Sequence, residues 1–303
     1  MVISFASQSN LTKKKKILLL AIIFSHFLPL VIAAFYDKAL RVKCNIELSK
    51  PKFWLWFFMW WSAWTSLITI PWAIHKLFGR QKKSGFIQQL FDLIIVEANF
   101  LSGVIFCWGG FFLTKPRKPL ILYPLVGQIS TLKIWYFYNL FWHLLAPGLV
   151  FYYFWKYSSV DQLEKRKNLS WVVSFFNPAL YILYNMARTH FSSYYPKLPP
   201  HQPYTYPPDY PYPPFFWINA KAANPSEAVI KSSGQKSWFY FWHSWPAWKQ
   251  SLIWLTITLV FWYLVFGGLL WVLIKLKGKK ILWPFFALTL WGFGFLLFLS
   301  NLK

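Results

Sequence analysis

Seven apolar runs, 17–36, 53–78, 86–113, 133–155, 170–187, 249–274 and 281–299, take up most of this 303-residue chain. A helix needs roughly 20 such residues to cross a hydrocarbon layer. Inside such a layer the backbone must satisfy its own N–H and C=O groups, so each run is expected to be a helix. The expected fold is an all-α membrane protein: one domain, a bundle of about six to seven transmembrane helices in the cell membrane. Composition points the same way. Hydrophobic residues make up 57% of the chain and charged ones only 13%, too few to coat a soluble globule of this length.

The charge is one-sided, 32 Lys and Arg against 8 Asp and Glu. A nucleic-acid partner would need these charges gathered on one soluble surface. They fall instead in short tufts between the apolar runs, so the partners expected are the lipid bilayer and its anionic headgroups, and not nucleic acid. Lys and Arg counts balance across the two sides. The dense tufts 13–16, 80–83, 165–167 and 275–280 nevertheless share one face, which favours a cytoplasmic N-terminus. The first run follows four lysines and imitates a signal peptide, but it is long for one and reads as an uncleaved helix. Cys44 and Cys107 do not suggest a disulfide framework. Oligomeric state is not legible.

One stretch concentrates polar chemistry at depth: Asn139-Leu-Phe-Trp-His143-Leu-Leu-Ala-Pro147. Asn139 and His143 are four apart and share a helical face. His143 lies about ten residues into its run, roughly 15 Å along a helix and near the midplane. Pro147 has no N–H for the carbonyl four residues back, which is that of His143. The bland reading is a packing histidine beside a proline kink. The functional reading follows from the cost of intramembrane polar groups.

Other runs supply candidates at the same depth. Ser62, Thr65, Ser66 and Thr69 form a hydroxyl stripe in the second run, suited to close packing and interhelical hydrogen bonds, with a nucleophile as the rarer alternative. The third run holds Asp92, near enough to its end to reach headgroups, and the deeper Glu97 and Asn99, which need partners. Counting from the run ends puts Ser62, Ser102, His143 and Asn177 in one layer to within about a turn. His26, three residues before Pro29, reads as a packed histidine, and Arg188 as a headgroup anchor ending the fifth run. The segment 194–248 opens with alternating Tyr and Pro, which excludes helix and suits an aromatic loop lying on the membrane surface. No metal-ligand spacing, phosphate loop or nucleotide motif is present, so no cofactor and no metal are expected.

These motifs resemble a known family. The 139–147 stretch looks like the leucine-histidine…proline helix of the bacterial Pr6Pr membrane proteins. Trp171 through Asn177-Pro178 and Tyr181 to Arg188, the Tyr210-Pro211-Tyr212-Pro213 signature and Ser102-Gly103 resemble further motifs of that family, in the same order. Membrane proteins of mycoplasmas are similar in this lysine- and phenylalanine-rich style. Pr6Pr proteins are in turn similar to the FAR-17a/AIG1-like multi-pass hydrolases of lipid esters, which pair an intramembrane threonine with a histidine. The resemblance carries the histidine to His143 and the threonine to Ser62, with Thr65 and Ser66 where that pattern has serine and asparagine. It implies an intramembrane lipid-ester hydrolase in which Ser62 attacks, His143 is the base, and Asn139 or Asn177 orients or stabilises the oxyanion. Two other classes stand beside it: a transporter or small-molecule binder lined by Glu97, Asn99 and His143, and a non-catalytic scaffold binding lipid or partner proteins.

Overall fold

A computed structural model describes residues 11–36, 54, 57–58, 61–79, 85–113, 141–191, 247–277 and 279. Every element among them is helical. In chain order these are α1 (Lys13–Tyr36), α2 (Trp61–Phe78), α3 (Phe86–Leu113), a π-helical turn (Phe141–Leu145), α4 (Ala146–Tyr157), α5 (Asp161–Lys165), α6 (Lys167–Ser174), α7 (Phe176–Phe191) and α8 (Ala247–Leu276). Among the described residues, two stretches, Lys13–Ala34 and Leu255–Leu276, are long and apolar enough to cross a membrane. Asn139, most of the 194–248 loop and the 281–299 run lie outside the described residues.

α3 sits at the centre. It packs against α2, the π-turn, α4, α5, α6 and α8, while α1 lies along α2 and α4. Two apolar clusters flank its middle. One gathers Leu19, Trp72, Leu93, Phe151 and Tyr153. The other joins Trp61, Ala98, Tyr181, Trp262 and Phe266, with the Trp61 and Trp262 rings stacked at 5.7 Å. α8 approaches α6 closely at Gly267, where an added Cβ would fall inside the Trp171 indole. Only glycine lets the two helices meet there.

Local chemistry sets the element ends, and several expectations need correction. The first helix starts at Lys13, so its lysines lie within it; the Lys15 N–H donates to Thr12 Oγ1 at 3.4 Å. The fifth run is two helices, broken at Phe175. Pro178 explains the break, because it offers no N–H to the Ser174 carbonyl. α7 then continues past Arg188 to Phe191 instead of stopping there, as a good helix former permits; the Arg188 side chain is outside the described residues. α8 begins at Ala247, two residues earlier than expected.

The largest correction concerns Asp92. It does not reach outward but is buried, in an ion pair with Lys76 at 2.7 Å. Its carboxylate also accepts Trp72 Nε1–H at 2.9 Å and the Ser158 hydroxyl at 2.7 Å. One turn away, Gln89 donates to Ser159 Oγ and accepts the Gln162 N–H. This network ties α2, α3 and the segment after α4 together at one end of the bundle.

Candidate functional site

α2 and α3 are antiparallel neighbours, and their polar contacts share one register. Lys76 meets Asp92, and one step deeper the Asn99 amide donates to Thr69 Oγ1 at 2.9 Å. In both pairs the partners are equally spaced from position 84. Continuing the register inward by about a turn sets Ser66 level with Ser102. At that level the two histidines enter, each beside a serine.

His143 lies in the π-helical turn, buried, with Pro147 just after it at the start of α4. A widened turn is one way a helix absorbs a missing proline N–H, and such turns recur at functional sites. His143 Nδ1 lies 3.3 Å from Ser102 Oγ and 3.2 Å from the Ser102 carbonyl oxygen. The tautomer decides what these contacts do. With its proton on Nε2, the ring accepts the Ser102 hydroxyl and is oriented as a base. With its proton on Nδ1, the ring donates to the carbonyl and ties the π-turn to α3.

The second pair was not anticipated from sequence. His26 Nδ1, from α1, lies 2.9 Å from Ser66 Oγ. The same hydroxyl accepts Trp142 Nε1–H at 2.6 Å and lies 3.1 Å from the Ser62 carbonyl, to which it donates. If Ser66 gives its one proton to that carbonyl, His26 must be the donor to Ser66. Ser66 is thus a junction of α1, α2 and the π-turn. His26 matches His143 in depth within its own run, and that equality was the available signal.

The remaining candidates are placed as follows. Ser62 and Thr65 are buried on α2, and the stripe they belong to faces the interior. Ser66 and Thr69 each donate back to the carbonyl four residues earlier, the Thr69 bond being 2.7 Å. The hydroxyl that meets His143 is that of Ser102. Asn177 takes part elsewhere, accepting Trp64 Nε1–H at 3.0 Å. Glu97 is fully buried, and neither carboxyl oxygen has a hydrogen-bond partner among the described residues. Thr65 Oγ1 and Asn99 Oδ1 are likewise buried without one. His26 Nε2 also has none by hydrogen-bond geometry, although the His26 and Asn99 side chains are close enough to interact. No group of three or more His, Cys, Asp or Glu able to hold a metal occurs among the described residues.

Chemically, the layer presents a serine–histidine pair at a bend in a helix, a second serine–histidine pair beside it, and several buried acceptors. Comparison with known protein families, curated proteins and solved structures finds no match to this chain.

Proposed function

We propose that this chain is a multi-pass integral membrane protein whose buried serine–histidine layer hydrolyses lipid-borne esters. Support for the membrane setting comes from the outer faces. Ile17, Leu20, Phe24 and Phe27 on α1, and Leu252, Val260 and Leu264 on α8, are exposed to half or more of their surface. Rows of large apolar side chains on two long apolar helices suit lipid.

The observation that carries the catalytic reading is the 3.3 Å contact between His143 Nδ1 and Ser102 Oγ. A nucleophile and its base must lie within hydrogen-bond reach, and apo contacts at the long end of that range tighten with substrate bound. In the proposed step, Ser102 Oγ attacks the acyl carbon while His143 takes its proton. The proton passes to the departing alcohol, and water then releases the fatty acid by the reverse route. Ser102 replaces Ser62 as the proposed nucleophile because it is the hydroxyl that reaches the ring. Ser66, already engaged by Trp142 and His26, positions the π-turn.

The test is hydrolysis of a long-chain acyl ester presented in mixed micelles. Ser102→Ala and His143→Ala should each lower turnover by at least about 100-fold, the scale of a positioned acid–base group. Ser62→Ala should retain most of it. Full activity in Ser102→Ala would remove the proposed nucleophile.

Glu97 favours a second reading, a polar path or binding site for a small solute, since its carboxyl is buried with no hydrogen-bond partner among the described residues, and such a group is costly inside a bundle. That reading expects solute- or proton-dependent flux in liposomes, lost in Glu97→Gln, with ester hydrolysis absent.

A further inference from the structure

One end of the bundle is basic, and several tertiary contacts assemble it. Lys15 of α1 lies over the rings of Tyr153 and Tyr157, at the end of α4. Lys277, just past α8, donates to the Trp155 carbonyl and lies 5.5 Å from the Phe154 ring. Arg166, before α6, lies 5.1 Å from the Phe86 ring at the start of α3. Three basic clusters far apart in sequence, 13–16, 165–167 and 275–279, are thereby brought to one end. Asp92 at that end is neutralised by Lys76, which leaves Asp161 and Glu164 as the exposed acids there among the described residues.

This arrangement is unfavourable for the isolated chain. α1 opens with four lysines and no acid in its first turn, at the end of a helix where the macrodipole disfavours cations. α6 likewise begins with Lys167, preceded by Lys165 and Arg166 and again without an acid in its first turn. Cations against a helix N-terminus, repelling one another, are relieved by an outside anion. The tyrosines beneath them suit the water–lipid boundary. Lys156, exposed over the Tyr152 and Tyr157 rings, is held above the usual lysine value by its hydrogen bond to Tyr152.

We propose that this end docks on a leaflet of anionic phospholipid, the exposed Lys13, Lys14, Lys16, Lys165 and Lys167 binding phosphate headgroups, and that it is therefore the cytoplasmic side. The inference rests on the membrane-spanning reading but not on the hydrolytic one. Lys15, Lys156 and Lys277 are held against aromatic rings and shape the rim; the other lysines meet the lipid.

The experiment reconstitutes the full chain into nanodiscs of phosphatidylcholine alone or with phosphatidylglycerol. It measures thermal unfolding and, by native mass spectrometry, the lipids retained. The wild-type protein should unfold at higher temperature with the anionic lipid and keep it selectively, with the gain shrinking at high salt. Each lysine changed to Gln should weaken retention about fivefold, the effect of about 1 kcal/mol per basic residue at an anionic surface. A Lys13/Lys14/Lys16/Lys165/Lys167→Gln variant should lose the gain, and Lys249→Gln, at the start of α8 and the other end, should keep it. An equal gain in the five-lysine variant, or none in the wild type, overturns the docking surface. A chain that enters neither kind of bilayer while folded overturns the membrane reading itself.

Discussion

Removing Asp92 tests the packing of the bundle most severely. The carboxylate is 3% exposed and its partner Lys76 is 6% exposed, so water screens neither. Asp92→Ala strands a buried ammonium and leaves Trp72 Nε1–H and the Ser158 hydroxyl without their acceptor. Breaking a buried pair by deleting one partner costs about 3–5 kcal/mol. Each lost hydrogen bond to a charged group is worth about 1.5–3 kcal/mol more in isolation. Because these losses share one carboxylate they do not add, and about 4 kcal/mol is expected. Lys76→Met alone should cost a similar amount, by leaving the carboxylate unpaired. The double variant Lys76→Met/Asp92→Leu should recover only the part of the loss due to the stranded charge. An apolar pair can replace a buried ion pair, but it leaves Trp72 Nε1–H and the Ser158 hydroxyl without their acceptor. Equilibrium unfolding in mixed micelles of mild and denaturing detergent gives all three values. A loss below about 1 kcal/mol for Asp92→Ala, the range of an exposed pair, would refute the buried network.

Other perturbations follow from named contacts. Gly267→Ala should destabilise by about 1–3 kcal/mol through collision with Trp171, whereas Gly268→Ala, whose added Cβ meets nothing within 4 Å among the described residues, should change stability by less than about 0.5 kcal/mol; thermal unfolding separates them. Trp142→Phe keeps an aromatic ring but removes the N–H bound to Ser66 and part of a buried indole, and should cost at least about 1 kcal/mol with little change in secondary structure by circular dichroism. Burial holds the Lys277 ammonium below its ordinary value of 10.5, with Asp161 opposing the shift. Between the lowered value and 10.5 the unfolded chain binds more protons, so this group makes stability rise with pH across that window. Denaturation series toward alkaline pH should show a flatter rise in Lys277→Gln.

Depth was legible in the sequence and direction was not. Counting residues from run ends put Ser102 and His143 in one layer, and they are hydrogen-bonded. The same count put Ser62 there, yet the α2 hydroxyl that meets a histidine is Ser66, one turn on, and that histidine is His26. A turn is within the error of counting, and one sequence does not tell how a helix is rotated against its neighbours. Asp92 reads from sequence as reaching outward, and nothing there singles out Lys76; their pairing follows from the antiparallel register of α2 and α3. Pro147 reads from sequence as freeing a carbonyl, but Pro178 reads as lying inside one continuous run, and α1 and α2 pass through Pro29 and Pro71 unbroken. What Pro147 and Pro178 produced, a π-turn at one and a break before the other, depends on which neighbours take up the freed carbonyls.

The most direct measurement is the site of covalent attachment of a hydrophobic fluorophosphonate probe, found by peptide mass spectrometry of the folded, reconstituted protein. A serine activated by a neighbouring histidine forms a phosphonyl ester with such a probe. The account predicts an adduct on Ser102 that disappears in His143→Ala and persists in Ser62→Ala. An adduct on Ser62, or no adduct on a folded protein, would contradict it.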